Sequence, residues 1–388
     1  MTRQHIRLKE FDHNIKKYHV PTDEYLRGAP QLNNGRAYCQ QTDENGFIKT
    51  GNCFNPDFTI AIVGDSFVEN IFVDELSRFE SVLERRFLSG GRRVKVINAG
   101  VSGMTGLTAF NLILNKLVCI KPNLIIFVQP SNDFSALLYA KGYFNDSKRY
   151  ANLVPPQEKQ AIIYETINEN KIQIYNNIVL LSQVCKLYNI NLVIATCAAN
   201  SSKRQLAMMN NIIREESMNF GYQILDLDKI LVKGEAFYYD KCHLNENGSK
   251  RLAEVIFEFI TENEYDFMRK VPVRNILLQE RNLSICDDGK IYIDLKGNRE
   301  SSVESWLSLV TKPRDYNSSY NILSCYCLFK SELEEYKFEI CGISNRSMQQ
   351  SFALNDFYSG SYCMCLELTD ELPYVFEDFR LYSVIDKN

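Results

Sequence analysis

The sequence predicts an α/β fold in which helices cover both faces of a parallel five-stranded sheet, followed by a β-rich region. Two patterns predict this fold. Between residues 58 and 263, apolar and β-branched runs alternate with longer amphipathic stretches, as in parallel sheets whose strands are joined by crossover helices. Beyond about residue 270 the helical periodicity fades, and short runs of alternating polar and apolar residues replace it.

The elements follow in chain order. Residues 1–57 are polar and rich in turn signals, so we expect an irregular lead-in that packs across the main domain. The strands of the sheet are predicted at residues 58–64, 94–99, 123–129, 191–197 and 222–227. The helices are predicted at residues 68–89, 104–119, 157–188, 203–219 and 245–263.

Short alternating runs predict a second domain after the helical part. They lie at residues 282–286, 290–294, 321–327, 337–341, 361–366 and 379–384. Asp287-Asp288-Gly289, between the first two runs, is a hairpin signal, and several short strands with turn signals predict a β-sandwich. With a boundary near residues 265–275, the chain divides into a lead-in, a main domain and a β-rich accessory domain, at residues 1–57, 58–268 and 269–388.

Composition and charge exclude several classes of protein. With 388 residues, 45% of them hydrophobic and 24% charged, the chain has the composition of a globular protein. The formal net charge of −4, without a basic stripe between aromatic residues, argues against a nucleic-acid surface. The longest apolar runs, such as residues 124–128, are too short to cross a bilayer, so no transmembrane segment is expected.

The expected compartment is the cytoplasm. The first residues lack the apolar core of a secretory signal. The 12 cysteines have no Cys-x-x-Cys spacing, and Cys119, Cys185 and Cys197 lie inside apolar runs. We therefore expect reduced and mostly buried thiols, as is usual in cytoplasmic proteins.

A serine follows the first predicted strand of the sheet at its carboxyl end. The strand ends at Gly64-Asp65-Ser66, and open α/β sheets place their chemistry at this edge. A serine hydroxyl needs a base, and histidine is the usual one. The histidines of the chain are His5, His13, His19 and His243. Three lie within the first 19 residues, so His243 is the candidate base, and Asp240 three residues earlier is the candidate to orient it.

Each of these residues also has a structural interpretation. Ser66 belongs to the residue types favoured as helix caps, and Asp240 is equally suited to be a loop acid or a cap. The Asp-x-x-His spacing lets both side chains face one point on a tight turn. This spacing favours the catalytic interpretation of Asp240 and His243.

Four short blocks resemble the SGNH, or GDSL-type, hydrolase superfamily. In chain order they are Gly64-Asp65-Ser66-Phe67, Asn98-Ala99-Gly100-Val101-Ser102-Gly103, Pro130-Ser131-Asn132-Asp133, and Asp240 with His243. They occur in the family's order, each next to a predicted strand, and the resemblance covers roughly residues 55–265. Pro130 departs from the family pattern, which has glycine there. Because proline fixes φ and removes an N–H, the shape of the pocket near Asn132 is left open.

The resemblance implies a flavodoxin-like strand order and a catalytic triad of Ser66, His243 and Asp240. It therefore makes residues 58–268 an SGNH-type catalytic domain. It also implies oxyanion donors: the backbone N–H of Ser66, the backbone N–H of Gly103 and the side-chain amide of Asn132. Two nearby glycines are alternatives to Gly103, namely Gly100 and Gly106. Two acids are expected to support the turns of the site, namely Asp65 and Asp133.

No metal and no tightly bound cofactor is expected. Residues 58–268 contain one histidine, so a multi-histidine zinc site cannot be assembled there. There is no glycine-rich phosphate loop of the P-loop or dinucleotide type. Acetyl-CoA is expected only as a donor of an acetyl group.

The triad predicts an acyl-serine intermediate, and the acceptor of the acyl group then decides the function. Water as acceptor makes an esterase and a sugar hydroxyl makes an O-acyltransferase; the superfamily contains both. The lead-in around residues 43–47 resembles SGNH-like proteins of bacterial surface-polysaccharide synthesis, and β-sandwiches are often attached to carbohydrate enzymes. We therefore favour O-acetyl transfer to a polysaccharide or its precursor. A carbohydrate O-acetylesterase is the alternative, a non-catalytic glycan-binding protein is a third, and the oligomeric state is left open.

Overall fold

The computed structural model describes residues 3–262 apart from residues 30, 33–34, 52, 54, 156–166, 201–203 and 221, together with the backbone of the strands between residues 274 and 384. The chain divides into two compact units. The first consists of Met1–Thr50, Phe58–Leu83 and Val96–Met268, and the second of Gly51–Asp57, Glu84–Lys95 and Arg269–Asn388. The domain boundary predicted near residues 265–275 falls mostly outside the described residues and stays a prediction.

The described part of the first 57 residues forms four short elements. They are β1 (His5–Ile6), β2 (Lys16–His19), α1 (Asp23–Gly28) and β3 (Tyr38–Gln41). β2 pairs antiparallel with β3, whereas β1 pairs with Leu153–Val154, far along the chain. Strands this short, with partners this distant, leave no local periodicity, which is why the sequence predicts irregular structure here.

Strands and helices alternate from residue 58 to residue 262. The strands are β4 (Phe58–Gly64), β5 (Val94–Gly100), β6 (Leu124–Val128), β7 (Leu153–Val154), β8 (Asn191–Ala195) and β9 (Gln223–Leu225). The helices are α2 (Ser66–Glu69), α3 (Phe79–Ser89), α4 (Gly106–Leu112), α5 (Val118–Ile120), α6 (Asn132–Leu137), α7 (Ile167–Asn170), α8 (Ile172–Leu187), α9 (Arg204–Phe220), α10 (Leu227–Ile230) and α11 (Glu246–Glu262). A π-helical turn (Ile113–Leu117) joins α4 to α5, and a 3₁₀ turn spans Gly142–Phe144.

Five strands form the central parallel sheet in the order β5-β4-β6-β8-β9. The second strand of the sheet in chain order therefore lies outside the first, which is the flavodoxin-like order. Every residue of β6 is buried, and so are the last five residues of β4. Consecutive buried residues mean that both faces of the sheet are covered. The predicted α/β fold class and its five strands are confirmed.

Most of the predicted helices form near their predicted bounds. The prediction at residues 104–119 corresponds to α4, the π-helical turn and α5; those at 203–219 and 245–263 correspond to α9 and α11. The prediction at 157–188 is represented by α7 and α8, and its first residues lie outside the described part of the chain.

The single long helix predicted at residues 68–89 is wrong. α2 ends at Glu69 because Asn70 adopts the left-handed conformation, with φ 46° and ψ 52°. The chain then turns around the buried Arg78, whose guanidinium donates to the carbonyls of Cys39 at 2.8 Å and Asn70 at 3.2 Å. The helix restarts as α3 at Phe79. The apolar pattern spans both pieces, so periodicity alone does not show the break.

The described backbone beyond residue 273 forms β-strands. They are β10 (Arg274–Leu283), β11 (Lys290–Gly297), β12 (Ser305–Pro313), β13 (Leu323–Lys330), β14 (Glu335–Ile343), β15 (Gln349–Ala353), β16 (Gly360–Leu368) and β17 (Tyr374–Val384). They form two antiparallel sheets, ordered β10-β17-β12-β15 and β11-β16-β13-β14. The hairpin turn predicted at residues 287–289 lies outside the described residues, and the strands on its two sides belong to different sheets. The β-sandwich stays a prediction.

A membrane-spanning helix is not found: within the described ranges, no helix combines the length and the apolar character that crossing a bilayer requires.

Candidate active site

The candidate nucleophile lies at the start of α2, directly after the carboxyl end of β4. Asp65 is the cap of this helix, because its side chain accepts the backbone N–H of Phe67 at 3.0 Å. Ser66 is the first helical residue and is partly exposed. The alternative interpretation of Ser66 as the helix cap is therefore wrong, and its hydroxyl is available for other partners.

Ser66, His243 and Asp240 form one hydrogen-bonded chain. His243 Nε2 lies 2.8 Å from Ser66 Oγ, and His243 Nδ1 lies 2.7 Å from Asp240 Oδ2. Asp240 Oδ1 closes the turn by accepting the backbone N–H groups of Cys242 at 2.8 Å and His243 at 2.7 Å. With its Nδ1–H donated to Asp240, the neutral imidazole presents Nε2 as an acceptor to the serine hydroxyl. A general base needs this tautomer.

Two tyrosines complete the surroundings of the base. The ring of Tyr239 stacks on His243, with centroids 5.5 Å apart and planes at 11°. The hydroxyl of Tyr25, in α1, donates to Asp240 Oδ2 at 3.3 Å. The side chains of His243 and Asp240 are 14% and 13% exposed, so this geometry is held in a largely buried setting. Sequence reasoning missed Tyr25, because a contact across 215 residues leaves no local signal.

The hydrogen bond to Asp240 governs the protonation of the base. Burial disfavours the imidazolium, but the hydrogen bond to Asp240 and the neighbouring Cys242 outweigh it and raise the pKa of His243 to about 10. Burial also disfavours the Asp240 carboxylate, yet the hydrogen bond and charge of His243 hold the pKa of Asp240 below its ordinary value. The pair is thus charged at neutral pH, and the neutral base becomes available as the pH rises.

Asp65 connects the nucleophile turn to the loop after β6. Its Oδ2 accepts the backbone N–H and the hydroxyl of Ser131, both at 2.8 Å, and the side-chain amide of Asn132 at 2.9 Å. An asparagine amide has two N–H donors, so one remains for a ligand. The structure therefore brings Asn132 to the turn that carries Ser66, with Pro130 in the loop.

The three candidate glycines differ in their backbone partners. The Gly100 N–H donates to Asn98 Oδ1 at 2.9 Å, and the Gly106 N–H donates to Asp133 Oδ1 at 2.7 Å. For Gly103, which has φ +74°, no acceptor of its N–H is found among the described residues. This difference favours Gly103 as the oxyanion donor, since its N–H alone of the three is unoccupied there.

Asp133 ties the start of α4 to α6. Besides the Gly106 N–H, its carboxyl accepts the hydroxyl of Tyr143 and the side-chain amide of Gln129, each at 2.5 Å. Burial raises the pKa of Asp133 to about 7, against the opposing effect of these hydrogen bonds. A role in supporting the turns fits these contacts.

Glu69 holds the Gly103 loop against α2. One carboxylate oxygen, Oε2, accepts the Ser102 backbone N–H at 2.6 Å and also the Ser102 hydroxyl. The other, Oε1, accepts the Gln40 side-chain amide at 3.3 Å. Glu69 is a second supporting residue that sequence reasoning missed, because an acid inside an amphipathic stretch is expected to face solvent.

One group of side chains offers metal ligands close together. Ligand atoms of Asp240, Cys242 and His243 lie within 4.8 Å of one another. Two of these residues, however, are bonded to each other through His243 Nδ1. An ion bound there would replace the hydrogen bond that orients the base, so we assign the group to the triad.

Comparisons with known proteins agree with this arrangement. The model of the family described as GDSL-like lipase/acylhydrolase matches residues 60–256, just over half of the chain. A search of curated proteins finds no match.

Several solved structures are similar to part of the chain. A lipase/acylhydrolase from Enterococcus faecalis is 18% identical, with 53% of this chain and 96% of that chain covered and a TM-score of 0.40. An α/β hydrolase from the metagenome of Lake Arreo, Spain, is 15% identical, with 53% and 96% covered and a TM-score of 0.40. The acetyl xylan esterase AlAXEase is 15% identical, with 52% and 100% covered and a TM-score of 0.39.

Proposed function

The chain belongs to the GDSL-like lipase/acylhydrolase family, whose members are serine esterases, and from this premise we propose that it forms an acyl-enzyme at Ser66 in acyl-ester chemistry on a carbohydrate. The observation that carries the proposal is the hydrogen-bonded chain from Ser66 through His243 to Asp240, at 2.8 Å and 2.7 Å. A serine with this base and this acid has what nucleophilic acyl transfer requires.

The proposed reaction begins with attack of Ser66 Oγ on the carbonyl carbon of an acyl ester or thioester while His243 Nε2 takes the hydroxyl proton. Negative charge develops on the carbonyl oxygen, where the N–H groups of Ser66 and Gly103 and the amide of Asn132 donate. The imidazolium, stabilised by Asp240, then gives its proton to the leaving alkoxide or thiolate, and acyl-Ser66 remains. An acceptor hydroxyl attacks this ester in the same way and frees the serine.

We favour a sugar hydroxyl as the acceptor and acetyl-CoA as the donor, so that the protein O-acetylates a polysaccharide or its precursor. The eight strands between residues 274 and 384 support a carbohydrate substrate, since β-rich domains often accompany carbohydrate enzymes. The triad itself serves either acceptor, because water exclusion and pocket shape decide between them.

The alternative function is hydrolysis of carbohydrate O-acetyl esters. Membership of an acylhydrolase family favours it. A non-catalytic glycan-binding protein is disfavoured, because a binding site has no need of a serine hydroxyl 2.8 Å from a histidine that is itself paired with an acid.

Labelling of the nucleophile tests acyl-serine chemistry. A fluorophosphonate probe should label Ser66 in the full chain, and Ser66→Ala should remove both the label and turnover of 4-nitrophenyl acetate while circular dichroism stays unchanged. Ser217→Ala is the matched control and should keep both. Labelling of another serine, or full activity of Ser66→Ala, would reject the proposal.

The partition of the acetyl-enzyme tests the acceptor. Acetyl-CoA should acetylate Ser66 slowly, and an acceptor glycan should discharge it quickly, because a bound sugar hydroxyl has a higher effective concentration than water. O-acetylated glycan with little free acetate, measured by mass spectrometry, supports the transferase. Rapid acetate release from an acetylated glycan, undiminished by excess acceptor, assigns the esterase instead.

A further inference from the structure

Positive side chains from two distant segments flank the loop that carries Gly103. Lys9 Nζ donates to the Ser102 carbonyl at 3.2 Å. A side chain at residue 103 would meet both cations, since its Cβ would lie 3.1 Å from Lys9 Nζ and 3.7 Å from Arg149 Nε. The proposed oxyanion donor therefore lies next to an ammonium and a guanidinium.

Arg7 joins the two segments that supply these cations. Its Nη1 donates to the carbonyls of Lys148 at 2.8 Å and Arg149 at 3.2 Å, and its backbone N–H donates to the Asn152 carbonyl at 2.8 Å. The pairing of β1 with β7 continues this contact. The positions of Lys9 and Arg149 are thus set by backbone hydrogen bonds on both sides.

Carboxylates do not neutralise these cations. Over the part of the chain that the structure describes, Arg7, Lys9 and Arg149 form no ion pair with an acid. The nearby acid is Glu69, and both of its oxygens already accept hydrogen bonds, from Ser102 and Gln40. A positive site without an acidic partner is suited to an anion from outside the protein.

The protonation of Lys9 reflects this crowding. Burial and then the charges of Arg7 and Arg149 lower the pKa of Lys9 to about 8, while Glu69 opposes them only in part. A bound anion would favour the charged ammonium, so binding of an anion and protonation of Lys9 support each other.

We propose that Lys9 and Arg149, with Arg7 behind them, form a binding site for an anionic group of the substrate, a carboxylate or a phosphate, beside the Gly103 loop. The inference rests on the proposed function, since it assigns these cations to the substrate of that enzyme. Ser102, adjacent to Gly103, is held by the last residue of α2, and Ser66 is the first residue of this four-residue helix. An anion bound there would lie about one helical turn from the nucleophile.

Two parts of the substrate could supply the anion: the phosphates of an acyl-CoA donor, or the carboxylate of an acidic sugar. Calorimetric titration of full-length Ser66→Ala protein separates these sources with two probe pairs. Coenzyme A is compared with pantetheine, which lacks the nucleotide phosphates, and glucuronate is compared with glucose. In at least one pair the anion should bind about tenfold or more tightly than its neutral counterpart, and that pair identifies the source.

Substitution of the cations then tests the site itself. Lys9→Ala with Arg149→Ala should abolish the preference for the anion, and Lys9→Gln with Arg149→Gln provides the same test if the alanine variant does not fold. Lys186→Ala removes an exposed charge from α8 and should leave the preference unchanged. The inference is overturned if neither anion is preferred, if the double variant keeps the preference, or if Lys186→Ala also loses it. Fluorophosphonate labelling of Ser66 in the wild-type chain is independent of these outcomes, so failure of the proposed function is recognised separately.

Discussion

The base and the oxyanion donors of this site are oriented by carboxylates that reach their partners in opposite ways. Asp240 lies three residues before His243 and holds it within a single tight turn. Asp65 holds Asn132 across 67 residues, through contacts that exist only once β4 and β6 lie side by side. The base is thus encoded locally, whereas the oxyanion side depends on the assembled sheet.

The largest expected effect breaks the local half of this comparison. Asp240→Asn should lower kcat by about 10⁴, because His243 loses the acceptor that fixes its tautomer. Steady-state kinetics with 4-nitrophenyl acetate measure the change, and Asp23→Asn, an exposed acid in α1, serves as the control. A loss below tenfold would show that Asp240 does not orient the base.

The distant half is broken by Asn132→Ala, which should lower kcat by roughly 10²–10³, the usual effect of removing one oxyanion donor. If Asp65 acts through Asn132, adding Asp65→Asn to this variant should cost less than Asp65→Asn alone costs the wild type. The exposed Asn219→Ala is the control. A rise in KM with kcat unchanged would instead make Asn132 a substrate-binding residue.

The pH dependence distinguishes the two halves. Because the pKa of His243 is raised to about 10, kcat/KM should rise with pH between 7 and 9, by about tenfold per unit as the neutral base forms. Asn132→Ala should keep the midpoint of this rise, whereas Asp240→Asn should move it towards lower pH. Rates are measured after subtraction of spontaneous hydrolysis. A wild-type midpoint near the ordinary histidine value would contradict the geometry of the pair.

The same pKa shifts have a consequence for stability. A raised pKa of His243 stabilises the folded chain fully below the ordinary value of about 6.5, and this contribution is lost as the pH rises through about 10. The lowered pKa of Asp240 has the opposite sign, and its contribution is lost as the pH falls. Urea unfolding of wild type and His243→Gln should therefore differ less at pH 10 than at pH 6.

The smallest expected effect sharpens the comparison, because Tyr25 brings a distant contact to the local half. Tyr25→Phe removes one hydrogen bond to Asp240, and a loss of about 1 kcal/mol corresponds to a decrease of about fivefold in kcat/KM. Tyr188→Phe, which alters an exposed hydroxyl at the end of α8, should have no effect. Equal activity of both variants would show that the Asp240 turn needs no support from α1.

The strands and the long helix illustrate why some elements are predictable and others are not. The strands of the central sheet are continuous apolar runs, because both faces are buried, and such runs can be located without any knowledge of their neighbours. The helix predicted at 68–89 failed because Asn70 turns left-handed and Arg78 is buried against carbonyls, including that of Cys39 in β3. That partner lies outside any local window.

The sequence by itself determined the α/β class, the five strands of the sheet and the residues to examine for chemistry. One histidine in residues 58–268 leaves one candidate base, and parallel strands present Ser66 and Asn132 at the same edge. Only the tertiary structure decided how these side chains are held. Asp65 caps α2 and orients Asn132, Glu69 holds Ser102, and the first segments of the chain bring Lys9 and Tyr25 to the site. The physical reason is that periodicity records burial along one element, whereas hydrogen bonds and charges act between elements that only the folded chain brings together.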